Sequence, residues 1–141
     1  MSLAVVDASV LTVFYVADDP RRADVVARLA AGDALFAPAH LDAEVLSALR
    51  GLALRLPSLS AAIPAALRHL SHLPVRRMPL APLLQRMWAL RSNLTAYDAA
   101  YIALAEQLGG FVLTCDAKLA MAPGPRCTLE LIPKPVPPTA P

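Results

Sequence analysis

Cysteine is nearly absent. Cys115 and Cys127 are the only two, and their spacing matches no metal-binding pattern. Both read as reduced packing residues of a cytosolic protein, with a single disulfide as the alternative. Long charge-free runs are also missing, although 57% of the residues are hydrophobic. The longest lies between Arg55 and Arg68 and is interrupted by Pro57 and Pro64. It is too short and too broken to cross about 30 Å of hydrocarbon, so no membrane association is expected. No signal peptide is expected either, because the N-terminus has no basic region and Asp7 cuts the first apolar stretch. Internal repeats and dividing linkers are absent. A strong charge imbalance is lacking too: the formal net charge is +2. That value fits the solubility of a very apolar chain, so any argument for a polyanionic partner has to come from a site.

What is present is an alternation of short apolar runs and helical patterns. Strands are expected at 3–7, 34–37, 75–78, 111–114 and 128–132. Helices are expected at 9–16, 20–31, 40–54, 60–72, 80–90, 95–108 and, as a short turn, 116–120. Pro20 suits a first helical position with Asp19 as its cap, and Gly32 and Gly109 suit helix ends. Short strands alternating with helices predict a mainly parallel five-stranded sheet covered on both faces, an α/β sandwich. Residues 1–132 form the expected domain. The tail at 133–141, with Pro133, Pro135, Pro137, Pro138 and Pro141, is expected to be extended or disordered.

Four carboxylates stand out in apolar or small-residue settings: Asp7, Glu44, Asp98 and Asp116. Asp7 and Asp116 each follow a strand, at the edge where open α/β sheets bind ligands. Either would serve equally as a helix N-cap. Asp98 lies in a helix that is apolar all round, with Thr95 placed to form a capping box. Its expected burial makes it the strongest member, since a buried carboxylate needs a partner or a metal. Glu44 faces the small residues Ser47, Ala48 and Gly51, which leave a groove beside it, although a solvated glutamate is the commoner case. The other seven acids read as solvated. Four converging carboxylates need a compensating cation, and oxygen-only donors suit Mg²⁺ or Mn²⁺. Ser9 and Thr114 are placed to orient carboxylates. His40, His69 and His72 read as surface or packing residues.

Four stretches carry a resemblance: VVDAS at 5–9, EVLSALR at 44–50 after Pro38, LTAYDAAYIALA at 94–105 and LTCDAKL at 113–119. The chain resembles the PIN-domain ribonucleases, in particular VapC-type toxins of bacterial toxin–antitoxin pairs. The resemblance implies a PIN-like α/β/α sandwich and Mg²⁺- or Mn²⁺-dependent endoribonuclease cleavage of structured RNA such as tRNA or rRNA. Asp7, Glu44, Asp98 and Asp116 would be the catalytic, metal-binding acids, and Arg50 a candidate for positioning phosphate. A homodimer and a small antitoxin docking on apolar helices near Leu46, Leu49, Leu52 and Leu56 are further expectations, with a cytoplasmic location. Two rivals stand beside it. A phosphotransfer domain would want adjacent acids or Asp-x-Asp after the first strand, where Ala8 and Ser9 stand instead. A non-catalytic interaction module on the same fold leaves the four acids without a purpose.

Overall fold

Successive residues of a strand point to opposite faces, yet Ala4, Val5 and Val6 are all buried, so the first strand is covered on both sides. In the computed structural model, which describes residues 2–140, this strand, β1 (Leu3–Val6), is the centre of the sheet. Met1 and Pro141, the outer ends of the expected domain and tail, lie outside the described residues. The other strands are β2 (Ala34–Pro38), β3 (Arg76–Met78), β4 (Phe111–Thr114) and β5 (Leu129–Leu131). They pair in the order β3-β2-β1-β4-β5, every pair parallel. Helices flank the sheet. They are α1 (Ala8–Phe14), α2 (Arg22–Leu29), α3 (Leu41–Arg55), α4 (Ile63–His72), α5 (Leu84–Ala89), α6 (Ala96–Leu108) and α7 (Ala117–Met121). Among the described residues no helix is long and apolar enough to cross a membrane.

Strand order places β2 on one side of β1 and β4 on the other. The chain therefore leaves β1 in one direction and returns on its opposite flank, which opens a crevice at the carboxyl ends of β1 and β4. Helix α6 crosses the middle of the sheet against β1, β2 and β4. Its residues 99–105 are all buried, as its uniformly apolar sequence requires. It ends on Gly109 at φ +68°. Gly110 then passes so close to the start of β1 that an added Cβ would lie 2.3 Å from the Leu3 carbonyl oxygen.

Several boundaries differ from the expected ones. Helix α2 begins at Arg22, not Pro20, because Asp19 does not cap it. The Asp19 carboxylate instead accepts the Arg21 backbone N–H at 2.9 Å and forks onto the Arg21 guanidinium, closing a separate turn. The expected helix at 60–72 divides into a 3₁₀ segment, Pro57–Ala62, and α4, with Pro64 in its first turn. Residues 80–90 divide in the same way, a 3₁₀ turn at Ala81–Leu83 preceding α5. The acids expected to be solvated also split. Asp18 and Asp24 are exposed, but Asp33 and Glu130 pair with Arg28, Asp42 with Arg77 and Glu106 with Arg86. His69 packs as expected, stacked on Phe14 and hydrogen-bonded to the Tyr15 hydroxyl. Both cysteines are free. Ile132 is the last buried residue, its N–H donated to Thr114 O at 2.8 Å. Residues 133–140 are exposed and irregular.

Gly110→Ala forces a methyl group against fixed backbone. A loss of about 1–3 kcal/mol is expected, read as a drop of roughly 2–4 °C per kcal/mol in a thermal melt. A variant that melts with the wild type would contradict the close approach of α6–β4 to β1.

Candidate metal centre

Asp7 follows β1 directly and is 5% exposed, deeper than any other acid of the four. Its N–H donates to Leu113 O at 2.9 Å, extending the β1–β4 ladder by one residue. It stands at the N-cap of α1 but makes no side-chain capping bond. The carboxylate turns to β4 instead. Ser9 Oγ donates to Oδ2 at 2.6 Å and Thr114 Oγ1 donates to the same oxygen at 2.8 Å. Each hydroxyl is itself oriented by a backbone donor, Cys115 N–H to Ser9 and Asp116 N–H to Thr114, both at 2.9 Å. Among the described residues nothing donates to Oδ1. Burial pushes the Asp7 carboxyl up to about 6; the two hydroxyls pull it down, and Asp98 and Glu44 add to the rise.

Asp116 does cap its helix: Oδ1 accepts the Lys118 N–H of α7 at 2.9 Å. Capping leaves its second oxygen uncommitted. Asp98 sits in the first turn of α6, where Thr95 accepts its N–H at 3.2 Å. Contrary to expectation it is only half-buried, because a first-turn side chain projects at the end of the helix, outside the buried length that follows. Partial burial, then Glu44 and Asp116, raise its carboxyl above the ordinary range.

Glu44 belongs to a stripe of α3. Glu44, Ser47, Ala48, Gly51, Leu52 and Arg55 recur at helical spacing and line one wall of a cleft of about 610 Å³. Asp7, Asp98 and Asp116 line the same cleft, with Asp19 and Arg21 at its margin. The expected groove beside Glu44 is therefore present. Glu44 Oε1 accepts the Tyr101 hydroxyl at 2.8 Å and lies 2.8 Å from His40 Nε2. Burial and the neighbouring carboxylates hold the Tyr101 phenol protonated, so it acts as a donor. His40 Nε2 also faces Tyr97 O at 3.2 Å, so that nitrogen carries the hydrogen, while Nδ1 is buried without a partner. His40 thus bridges α3 and α6 beside the site, a role that reading it as a packing residue missed. The spacing of His40 and Glu44, four apart at a helix start, was its one visible signal. Arg50 lies off the stripe and is exposed, whereas Arg55 lies on it.

The four predicted acids thus share one crevice at the carboxyl ends of β1 and β4. They do not close into a cage: among the described residues no three His, Cys, Asp or Glu side chains form a ready ligand group. Among the described residues no Lys, Arg or His ion pair compensates Asp7, Asp98 or Asp116. An open set of oxygen donors with uncompensated charge fits a hard cation that keeps several waters, and does not fit a thiolate- or imidazole-loving one.

The family profile described as the PIN domain matches residues 4–124. The chain belongs to the PIN-domain family. Within it, the chain belongs with the VapC ribonucleases. It is 45% identical over 108 residues to Ribonuclease VapC12 of Mycobacterium tuberculosis, covering 76% of this chain and 83% of the relative. It is 36% identical over 132 residues to Ribonuclease VapC9 of the same species, covering 94% and 100%. The crystal structure of M. tuberculosis VapC20, described as a Sarcin-Ricin loop cleaving toxin, superposes with a TM-score of 0.65. It covers 82% of this PIN domain chain and 92% of VapC20 at 19% identity, a likeness of fold.

The raised Asp7 carboxyl has a consequence for stability. The folded state holds this proton more tightly than the unfolded chain, so protonation favours folding. Stability of the cation-free protein rises as pH falls through about 6 and levels off near the ordinary value of 3.8. The full rise is worth roughly 3 kcal/mol. Thermal melts in chelator from pH 8 to pH 5 are expected to climb for the wild type and to climb less steeply for Asp7→Asn, in which only the raised Asp98 carboxyl remains. Equal slopes for the two proteins would place the titration elsewhere.

Proposed function

We propose that this PIN domain is a Mg²⁺- or Mn²⁺-dependent endoribonuclease, the toxin of a toxin–antitoxin pair, which hydrolyses phosphodiester bonds of structured RNA such as tRNA or rRNA. Asp7, Glu44, Asp98 and Asp116 would hold the cation. The observation that carries the reading is the cleft itself. Four carboxylates from four separate elements line it, three of them without a basic ion-pair partner among the described residues. The VapC ribonuclease relatives support the activity, and membership of the PIN-domain family supports the cation.

When bound, such a cation supplies Lewis acidity and charge neutralisation to phosphodiester hydrolysis. The chain's own residues do the rest. Ser9 and Thr114 fix Asp7 through Oδ2 and leave Oδ1 unbonded among the described residues. Tyr101 and His40 hold Glu44 by one oxygen and leave the other. In the cation-free protein Asp98, like Asp7, accepts a proton at higher pH than an ordinary aspartate, because both carboxyls are partly withdrawn from water beside other acids. Arg55 lies on the cleft wall and enters no ion pair among the described residues, which leaves its guanidinium for the phosphate backbone. Arg21 is already forked onto Asp19.

The partners follow the same reading. Of the expected docking residues Leu49 is buried in the core and Leu52 lines the cleft, whereas Leu46 and Leu56 are exposed; with the exposed Leu54 they form an apolar surface suited to an antitoxin helix or to a second copy in a homodimer. A cytoplasmic location accords with RNA as substrate. The expected division into a nuclease domain at 1–132 and a flexible tail at 133–141 belongs to the same proposal.

Two measurements test it. Asp98→Asn is expected to lower Mg²⁺-dependent RNA cleavage by more than about a hundredfold in a protein that still folds. Cleavage at the wild-type rate would remove the four-acid site. Arg55→Ala is expected to weaken RNA binding and to reduce the slope of log affinity against log salt by about 1. An unchanged slope would mean that Arg55 does not meet phosphate.

A further inference from the structure

Tyr97 is 65% exposed, at the start of α6 just ahead of its buried run. Single exposed apolar side chains are ordinary on a protein surface. What distinguishes Tyr97 is what it stands beside. With His40, Ala43, Glu44, Ser47 and Ala48 it lines a pocket of about 500 Å³. Glu44, Ser47 and Ala48 line the acid cleft as well, so the pocket adjoins that cleft along the α3 stripe as a side chamber.

The chamber has the parts of a stacking site. The Tyr97 ring is backed by the His40 imidazole, centroids 5.6 Å apart at 45°. The His40 Nε2–H faces Tyr97 O at 3.2 Å, and the same nitrogen lies 2.8 Å from Glu44, so the platform and the acid are fixed by one residue. The Tyr97 phenol makes no hydrogen bond among the described residues, and neither does the Ser47 hydroxyl. Trp88, the other large exposed aromatic, differs: the Arg91 guanidinium already covers its ring at 4.3 Å.

We infer that this side chamber is a nucleobase subsite, in which an unpaired base flanking the scissile phosphate stacks on the Tyr97 ring. The inference rests on the nuclease reading above, since a phosphate in the acid cleft carries a sugar and base to one end of it. Every base offers a π-face, so stacking holds the strand without selecting sequence. The free Ser47 hydroxyl is the group available to a base edge. Base pairing would withhold the base from the chamber, so Tyr97 acts on unpaired nucleotides.

The test uses the full chain and RNA oligonucleotides carrying 2-aminopurine, a fluorescent base quenched by stacking, at each position flanking the cut. Tyr97→Ala is expected to raise KM by about tenfold to hundredfold with kcat within about threefold, the signature of lost binding rather than lost chemistry. Tyr97→Phe, which keeps the ring, is expected to stay within about twofold of wild type. Melting temperatures should not change, because the side chain is exposed. In an Asp98→Asn background, where the oligonucleotide is bound uncut, 2-aminopurine at one flanking position is expected to be quenched, and the quench to vanish with Tyr97→Ala. An unchanged KM or a surviving quench in Tyr97→Ala overturns the subsite, and so does a Tyr97→Phe variant as impaired as Tyr97→Ala. Failure of the wild type to cut any RNA strikes the nuclease reading instead. The quench on the bound single strand still decides the chamber.

Discussion

The arrangement of the crevice depends on one buried carboxylate that the protein only partly satisfies. Asp7 sits where β1 runs out, between the ends of β2 and β4, and burial outweighs the two hydroxyl hydrogen bonds it receives. The network that holds it also sets the neighbouring acid. Thr114 gives its hydrogen to Asp7 and takes the N–H of Asp116, while Ser9 gives to Asp7 and takes the N–H of Cys115. The end of β1, the start of α1 and the turn after β4 are thus one hydrogen-bonded unit. Asp7 and Asp116 cannot move independently within it. A neutral side chain at position 7 would relieve the burial cost, which is the usual sign of stability given up at a site for function.

The second pair of acids is tied by a different unit. Helix α6 supplies Asp98 in its first turn and Tyr101 one turn on. Tyr101 donates to Glu44 of α3, and His40, just before α3, reaches both Glu44 and the carbonyl of Tyr97. Two helices that lie far apart in sequence are therefore pinned at their first turns, beside the sheet edge where Asp7 stands. The small residues Ser47, Ala48 and Gly51 then keep the wall of α3 low, so the four acids line open space rather than packing against side chains.

Much of this was legible in the sequence, for physical reasons that differ by residue. Runs such as VVD at 5–7 and VLTCD at 112–116 announce buried parallel strands because no alternation interrupts them, and an acid placed at each end marks the sheet edge. The groove beside Glu44 followed from helical phase, while the order of the four acids followed from the family resemblance. Depth did not. Asp98 has the more apolar neighbours in sequence, yet Asp7 is the more buried, because depth is set by which strands lie alongside and strand order is not written locally. The fate of the arginines was equally hidden. Arg28, Arg77 and Arg86 are spent tying distant elements together, and Arg21 is spent on Asp19 two residues away. Arg55 could have been preferred to Arg50 by phase alone, since it continues the stripe begun by Glu44 while Arg50 leaves it.

That inventory bears on how the crevice meets a polyanion. Four carboxylates at the carboxyl edge of the sheet set up a field that opposes phosphate, and like charges this close in a partly dry cleft are weakly screened. The net charge of +2 does not help locally, because only Arg21 and Arg55 line the cleft and Arg21 is already paired with Asp19. Arg55 is the unspent exception on the cleft wall, and one guanidinium does not reverse the sign of four acids. On the proposed reading, therefore, the crevice as the chain builds it is a site for a cation first and for a phosphate second. Contacts that carry no charge, such as an aromatic ring beside Glu44, then gain importance, because they hold the RNA strand without having to overcome that field.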